Sequence, residues 1–471
     1  MNTGPVPPGS DLAITVSSDR QGGQPTLRAE HLADNSWSST LSNLGGILAL
    51  VAAIGLGANF LLFISRSDFY KPDSESYIVS AANLVKGHGF INSAGFPETT
   101  RTPGYPLLIA PFLRMRLDLK YLVVFQHLLQ VLIALATAIF AYRLSQSRSQ
   151  TLIAGILLCL DLPSLEAANS VMTETLFTAI LTGAIWLLWI SAKRAEKSLG
   201  WIVLAGFLAG WSVLVRPITT YFFVLAAVYL LLVGRNFKLR AVFAFVLAFA
   251  SLPLAWAARN YAQTGYFTVS SISGWDMLGY RAAGVLAVND GGDFFLNLDK
   301  RQTQLLHQVC DNTKGLENES CLPLTIPQTS IPQKARAYMK FGSQIVLQHP
   351  WAYAKIVARG VVYMMLGDDA DLVVRLTGMN PRLIKGIILI YTVPALCLAI
   401  AGLFSLWNKN RTFFYLSILI VGYFVVISTG AEAHSRMRVP IMPIYAVLIA
   451  AGADMVIRRV SHRGMLHALL P

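Results

Sequence analysis

The sequence predicts an all-α protein that crosses a membrane many times. Of its 471 residues, 54% are hydrophobic and only 13% are charged, whereas an ordinary soluble domain has about 25% charged residues. Apolar runs close to the roughly 20 residues that a spanning helix needs recur along the chain. We therefore expect about ten or more transmembrane helices. The candidate runs are 44–64, 121–142, 150–165, 173–191, 200–215, 218–234, 239–258, 384–406, 412–429 and 439–457.

The net charge of +13 is spread in short basic clusters between the apolar runs. That pattern is typical of membrane topology, in which Lys and Arg favour cytoplasmic loops, and it argues against a nucleic-acid-binding protein with one basic face. With the N-terminus in the cytoplasm, the basic clusters fall mostly on one side. The polar stretches 65–120 and 259–383 then face the opposite, outer side.

Four parts follow from this arrangement. Residues 1–43 have the Pro-, Gly- and Ser-rich composition of a disordered tail, which we expect in the cytoplasm. Residues 44–258 form an N-terminal transmembrane module that includes the outer loop 65–120 and is predicted to carry the chemistry. Residues 259–383 form an outward or interfacial segment. Residues 384–471 hold the C-terminal transmembrane helices and a short cytoplasmic tail.

Two features distinguish the outward segment. Its part 335–366 is predicted to form one or two amphipathic helices along the membrane surface. Cys310 and Cys321 share one polar loop, at a spacing that could close a disulfide if this loop faces an oxidising compartment. The alternative is a loop with two free thiols.

The stretch 68–106 is the most polar of the outward connections. Within it, Pro72 and the run Ser74–Val85 predict a short helix that begins at Asp73. Aspartate is strongly preferred as an N-cap that bonds the first free amides of a helix. The second interpretation is a general base at the membrane–water boundary, where partial desolvation raises the proton affinity of a carboxylate. One carboxylate can serve in both roles.

Arg101 precedes a Pro-Gly-Tyr-Pro turn, residues 103–106, that opens the apolar run 107–113. This run is too short to span a bilayer and should dip into the membrane or lie on it. An arginine held before such a turn is suited to grip a lipid phosphate with two N–H groups. The simpler alternative is a side chain that only reaches up to the headgroups.

Two sequence blocks resemble a known family. The block D-x-E-x-Y-x(3)-A-x-N-L-x-x-G-x-G-F at 73–90 is followed by R-x-P-G-Y-P at 101–106. Together they resemble the first outer loop of GT-C glycosyltransferases, in particular bacterial members related to aminoarabinose transferases and protein O-mannosyltransferases. The resemblance covers most of the apolar scaffold but hardly extends into 259–383. Weaker similarities lie at Val171–Phe177, 215–217 and His434–Pro440.

The resemblance implies an inverting transfer of a sugar from a polyprenyl-phosphate donor to an acceptor hydroxyl on a lipid, glycan or protein. The expected place is the outer, periplasmic face of a bacterial inner membrane. The family's loop aspartate, carried onto Asp73, would accept the proton of the attacking hydroxyl. Because a lipid phosphate is a good leaving group, cations can replace a general acid. The candidates to bind the donor phosphate are Arg101, Arg216, Arg436 and Arg438; those to position the acceptor or the site are Tyr77, Tyr105, Glu174 and His434.

A divalent metal is a further possibility. His88, Glu98 and His434 could contribute ligands, although they lack a recognised ligand spacing. Glu174 could position the acceptor or a metal, but an acid at the start of a helix is also favoured by the helix dipole alone. No other cofactor is indicated.

Two competing functions remain open at this point. A transporter or flippase for lipid-linked saccharide would place ionisable groups inside the spans, whereas here the apolar runs are nearly free of charge. A polysaccharide polymerase or ligase would be expected to lack the block around Asp73.

Overall fold

The computed structural model describes residues 37–66, 68–193, 199–233, 238–312, 331–367 and 370–468. Two compact units are distinguished, Met1–Gly45 and Gly46–Pro471. Of the first unit only residues 37–45 are described, and they form the start of a helix. Everything below concerns the second unit.

The predicted all-α class is confirmed. Within the described residues, the β pairing consists of one isolated bridge between Ile91 and Pro97. The helices are α1 (Trp37–Ser65), α2 (Ser74–Val85), α3 (Gly104–Arg114), α4 (Lys120–Ser145), α5 (Arg148–Cys159), α6 (Leu162–Ala168), α7 (Glu174–Lys193), α8 (Leu199–Val215), α9 (Phe222–Val233), α10 (Lys238–Thr264), α11 (Ile272–Trp275), α12 (Ala283–Ala287), α13 (Phe294–Asn312), α14 (Ile331–Gln348), α15 (Pro350–Leu366), α16 (Ala370–Thr377), α17 (Pro381–Lys409), α18 (Arg411–Ser428) and α19 (Met442–Ala468).

The expected ten spans all coincide with helices, but fewer of these helices are long enough to cross a bilayer. Within the described residues, seven helices have the length and composition of a span, or eight if the bent pair α5–α6 counts as one. The shorter apolar helices α8 and α9 are separated by a 3₁₀ turn at Pro217–Thr219. Arg216, which precedes Pro217, has extended backbone angles (φ −141°, ψ 119°) that end α8, so this pair does not form one long helix.

The break between α5 and α6 bends that span by 54°. Asp161 starts α6 by accepting from the backbone amide of Ser164 at 3.1 Å. In an apolar interior every freed backbone group needs an internal partner, and α4 supplies one at the break, where Gln130 donates to the carbonyl of Leu158 at 2.7 Å. At the other end of α6, Gln126 donates to the carbonyl of Ser170 at 2.7 Å. The bend is therefore a stabilised feature of the bundle.

Glycines allow the main helix pairs to pack closely. A Cβ at Gly206 or Gly210 of α8 would collide with backbone carbonyls of α10, and a Cβ at Gly402 of α17 would collide with the carbonyl of Leu448 in α19. Small residues at such positions let transmembrane helices approach to backbone contact.

The segment 259–383 has a hydrophobic cluster of its own, distinct from that of the bundle. Its buried members come from the stretches 275–309 and 338–356, together with Ala431, and they include Leu278 and Tyr338, which are fully buried. The region 335–366, predicted as one or two amphipathic helices, consists of parts of α14 and α15, which Pro350 separates.

Candidate active site

Asp73 occupies the N-cap position of α2, but its side chain does not cap the helix. An N-cap side chain reaches the first amides from an extended backbone, whereas Asp73 has helical angles (φ −75°, ψ −20°). Its carboxylate instead accepts from Nη2 of Arg101 at 2.7 Å. The side chain is 38% exposed, so the carboxylate stays accessible to another molecule.

Arg101 is held on several sides. Its Nε donates to Ser76 Oγ at 2.9 Å, and its guanidinium lies 4.9 Å from the ring centre of Tyr77. Together with the pair to Asp73, these contacts fix the side chain, which is only 14% exposed. Arg101 is thus anchored over α2, which does not fit an arginine that merely reaches toward headgroups.

The backbone around Arg101 is organised by Glu98, which is buried. Its Oε1 accepts from the amides of Thr100 and Arg101 at 2.5 and 3.0 Å. Burial raises the pKa of Glu98, although the amides of Arg101 and Thr100 partly offset this effect. From α10, Arg259 donates to the backbone carbonyls of Glu98 and Phe90. Glu98 therefore shapes the loop that carries Arg101.

A second group of charges is centred on Glu174, the first residue of α7. The side chain is fully buried, and its Oε1 accepts from both Arg216 and Arg436. Arg216 follows α8, and Arg436 lies in the 3₁₀ turn before α19. Because one carboxylate serves two guanidinium groups, this group carries one net positive charge.

The two groups share one electrostatic neighbourhood. The charge of Asp73 acts on Arg436, and that of Glu174 acts on Tyr105. The rings of Tyr77 and Tyr105 meet edge to face with centres 5.3 Å apart. The five charged residues, which we call the arginine cluster, combine three cations with two carboxylates: Asp73, Arg101, Glu174, Arg216 and Arg436.

Asp276 adds a carboxyl group that the sequence did not single out. It begins a π-helical turn, Asp276–Ala282, between α11 and α12, and such turns are frequent at functional sites. Burial and the nearby Glu432 carboxylate raise the pKa of Asp276 to about 7, while Arg281, Arg101 and Arg216 act in the opposite direction. In the sequence, the feature that could have identified Asp276 is that it is the single acidic residue of the apolar stretch 272–288.

Arg438, predicted to bind the donor phosphate, does not join the arginine cluster. It is 5% exposed. Its guanidinium donates to the carbonyl of Met365 at 2.8 Å and pairs with Asp161 at 3.4 Å. Two residues apart on a tight turn, Arg436 and Arg438 point to different sides of the chain. Arg438 joins the end of α15 to the start of α6.

Of the remaining predicted positions, His434 lies next to the arginine cluster, since Arg436, Glu174 and Arg216 all act on it electrostatically. His434 is exposed, and its Nδ1 accepts from the amide of Arg436 at 3.2 Å. In the described part of the chain, no three or more His, Cys, Asp or Glu side chains are grouped to hold a metal, so His88, Glu98 and His434 form no such group. Cys321 and the side chain of Cys310 lie outside the described residues.

Comparisons with known proteins address the fold. No protein-family model matches the sequence, and a search of curated proteins found no match. Among solved structures, the chain is similar to the oligosaccharyltransferase AglB of Archaeoglobus fulgidus in complex with an inhibitory peptide and a dolichol phosphate. The TM-score is 0.52 at 12% identity, covering 93% of this chain and 53% of AglB. The chain has the GT-C fold.

Two more structures place this similarity in context. The Archaeoglobus fulgidus oligosaccharyltransferase tethered to an acceptor peptide gives a TM-score of 0.51 at 11% identity, covering 88% of this chain and 49% of that one. ArnT from Cupriavidus metallidurans, bound to undecaprenyl phosphate, gives 0.38 at 12% identity, with 88% and 79% covered, which is too distant to carry an argument. The chain spans about half the length of the oligosaccharyltransferases. Their fold and its own apolar helices indicate an integral membrane protein.

Proposed function

We propose that this protein is a glycosyltransferase that moves a sugar from a polyprenyl-phosphate donor to an acceptor hydroxyl. The observation that carries the proposal is the arginine cluster, in which an accessible carboxylate, Asp73, pairs with Arg101. The charge of Asp73 also acts on Arg436, which shares the carboxylate of Glu174 with Arg216. We place the reaction at the periplasmic face of a bacterial inner membrane, on the distribution of basic residues in the sequence. The acceptor can be a lipid, a glycan or a protein.

The arginines would hold the donor phosphate. Glu174 neutralises one of the two charges of Arg216 and Arg436 and fixes both side chains, which are 19% and 33% exposed. A preorganised cationic site of this kind stabilises the charge that develops on a departing phosphate without reorganisation during the reaction. The leaving group therefore needs no proton, and no general acid is required on that side of the sugar.

Asp73 would act on the acceptor side. Inversion at the anomeric carbon requires one base on the face opposite the leaving group, and a general base must come within about 3 Å of the hydroxyl that it deprotonates. Arg101 pairs with one oxygen of Asp73 and leaves the other for an acceptor. A guanidinium has five N–H groups, so Arg101 can also contact the donor phosphate and set the distance between base and leaving group.

The fold supports the same class of reaction. AglB, whose fold the chain shares, was determined with a dolichol phosphate bound, which is a lipid phosphate of the class that we propose for the donor. Since this chain covers about half of AglB, its own substrates stay proposals.

Asp73→Asn is the direct test, with Glu75→Gln as the matched control. Glu75 lies on the same helix but is exposed. Cell-envelope glycans and glycolipids are compared by mass spectrometry in cells that lack the protein, carry it, or carry either variant. We expect the product to vanish without the protein and with Asp73→Asn, and to persist with Glu75→Gln. Normal product from Asp73→Asn, at equal amounts of inserted protein, would contradict the base role.

A further inference from the structure

Gln126, a polar residue inside the spanning helix α4, has its carbonyl oxygen and its amide nitrogen in hydrogen bonds to other parts of the chain. The side chain is fully buried. Its Nε2 donates to the backbone carbonyls of Ser170 at 2.7 Å and of Ala168 at 3.2 Å, and its Oε1 accepts from the hydroxyl of Tyr105 at 2.6 Å. A carbonyl cannot donate, so the nitrogen must face the two carbonyls and Tyr105 must be the donor.

This arrangement makes Gln126 an anchor for two separate stretches of chain. One is the start of α3, which is bound through Tyr105, and the other is the connection from α6 to α7, which is bound through Ser170. In an apolar interior neither stretch can move away without leaving a buried polar group unpaired. Both stretches are therefore held to one point of α4.

The first stretch leads to the pair of Asp73 and Arg101. Tyr105 is fully buried, and its ring meets the ring of Tyr77 edge to face with centres 5.3 Å apart. The guanidinium of Arg101 lies 4.9 Å from the centre of the Tyr77 ring. The position of Tyr105 thus affects Arg101 through a single intervening ring.

The same stretch contacts the end of α8. A Cβ at Gly104 would lie 2.6 Å from the backbone carbonyl oxygen of Leu214, so a larger residue would not fit there and the two backbones are in direct contact. Arg216 follows Leu214 by two residues, in extended conformation. The start of α3 is therefore packed against the backbone that carries Arg216.

The second stretch leads to Glu174, which begins α7 four residues after Ser170. The carbonyl of Val171 accepts from Ser74 Oγ at 2.8 Å, and Ser74 is the residue after Asp73. A displacement at Ser170 would consequently reach both Glu174 and the start of α2.

We propose that Gln126 is a positioning residue for glycosyl transfer, which sets the distance between Asp73 and the guanidinium groups of Arg216 and Arg436. This role rests on the proposed function, in which Asp73 is the base and the arginines hold the donor phosphate. The hydrogen bonds of Gln126 go to the protein, so it acts through the two stretches. A misplacement of about 1 Å between reacting groups can slow a reaction about 100-fold, whereas the contacts that bind the donor lie within one part of the cluster.

Two variants remove the anchor to different extents. Gln126→Leu frees both stretches and should lower kcat about 100-fold, with the donor KM changed by less than about twofold. Tyr105→Phe removes one oxygen, keeps the bonds of Gln126 to the backbone, and should lower kcat about tenfold. The double variant should be no slower than Gln126→Leu alone, because the same hydrogen bond cannot be lost twice.

Gln130→Leu is the matched control. Gln130 lies about one turn further along α4 and is also buried. It accepts from Asn59 Nδ2 at 3.0 Å and donates to the carbonyl of Leu158 at 2.7 Å. Its loss should lower Tm about as much as Gln126→Leu does but leave kcat within about twofold of the wild type, since its partners lie in α1 and at the break between α5 and α6.

Hydrogen exchange measured by mass spectrometry on the same full-length proteins needs no turnover. The amides of Val171 and Met172 donate to the carbonyls of Phe69 and Ser170, at 2.8 and 2.7 Å, so both are protected in the wild type. Gln126→Leu should speed the exchange of the peptide 170–174 about tenfold, and Gln130→Leu should leave it unchanged.

Unchanged exchange of this peptide in Gln126→Leu would overturn the anchor, whatever reaction the protein performs. Equal losses of kcat in Gln126→Leu and Gln130→Leu would indicate general destabilisation, and a normal kcat in Tyr105→Phe or additive losses in the double variant would show that Tyr105 and Gln126 do not act together. Each of these results would also overturn the proposal. A wild-type protein that transfers no sugar from a lipid-phosphate donor would instead contradict the proposed function, and the exchange measurement would still decide whether Gln126 anchors the two stretches.

Discussion

Glu174→Gln tests the central contact of the arginine cluster. The wild-type carboxylate is fully buried and accepts from both Arg216 and Arg436. Glutamine keeps the size of the side chain and one acceptor oxygen but removes the charge that the two arginines share. If the cluster is arranged as described, both the stability of the protein and its affinity for an anionic donor should change.

The magnitude follows from the geometry. Two unit charges about 4 Å apart interact by about 4 kcal/mol at an effective dielectric constant near 20. Arg216 and Arg436 are 19% and 33% exposed, so water screens part of this energy, and the glutamine oxygen restores one hydrogen bond. We expect a loss of about 3 kcal/mol in the free energy of unfolding. For a chain of 471 residues, whose entropy of unfolding is about 1 kcal/mol/K, this corresponds to a Tm lower by roughly 3 °C.

Turnover should fall more steeply than stability. With both guanidinium groups displaced, kcat/KM for a lipid-phosphate sugar donor should fall by about 100-fold or more, because misplacement of about 1 Å in a phosphate clamp has this effect. The assay combines thermal unfolding in detergent with donor kinetics on the same preparation.

Asp454→Asn is the matched control. Asp454 is also a buried acid paired with an arginine, Arg458. It lies in α19 roughly 25 Å beyond Arg436 along the chain. This variant should lose stability without a change in donor KM. A Glu174→Gln protein with wild-type Tm and wild-type donor KM would refute the reasoning.

Two further predictions concern Asp276 and Arg438. Burial and the Glu432 carboxylate raise the pKa of Asp276 to about 7, so its carboxyl group gains a negative charge as the pH rises from 6 to 8, and this charge acts on Arg101 and Arg216. Donor KM should therefore rise over that interval, and Asp276→Asn, which stays neutral, should flatten the rise; an unchanged pH profile would contradict this. Arg438→Lys should lower Tm, since the guanidinium links Met365 to Asp161, yet leave donor KM unchanged at constant pH; a selective rise in KM would instead restore Arg438 to the donor site.

The local sequence around Asp73 was sufficient to propose that residue and Arg101, because both lie in one loop and one motif. The local sequence could not show that the side chains of Asp73 and Arg101 pair, because an aspartate that caps the following helix would produce the same sequence pattern. The backbone angles of Asp73 decide between the two arrangements, and they depend on how the loop is tied to the rest of the bundle.

The sequence did not predict which charged residues from distant parts of the chain form ion pairs. Glu174, Arg216 and Arg436 were each candidates, but their convergence depends on the packing of α7, α8 and the turn before α19, which lie far apart in the chain. The direction of the Arg438 side chain depends on the 3₁₀ turn before α19, and the spacing of Arg436 and Arg438 in the sequence does not predict it. Asp276 was missed because the family resemblance hardly reaches its segment.

The broken span shows a similar limit. The apolar run 150–165 was predicted as one span from its hydrophobicity, although Asp161 and Pro163 within it are residues typical of a new helix start. The side chain that stabilises the break, Gln130, comes from the preceding helix, and so does Gln126, which binds the backbone at the end of α6. A polar residue within one span can thus indicate that the backbone of a neighbouring span is interrupted.

The contact of Glu174 with Arg216 and Arg436 has a consequence for how the protein is made. The two arginines are 220 residues apart in the chain, so a ribosome releases the first long before the second. Until the turn before α19 is in place, the buried carboxylate has one of its two partners and the proposed phosphate site is incomplete. The proposed donor site would therefore form only after the turn before α19 has been synthesised and placed, and a chain that stops short of that turn would lack it.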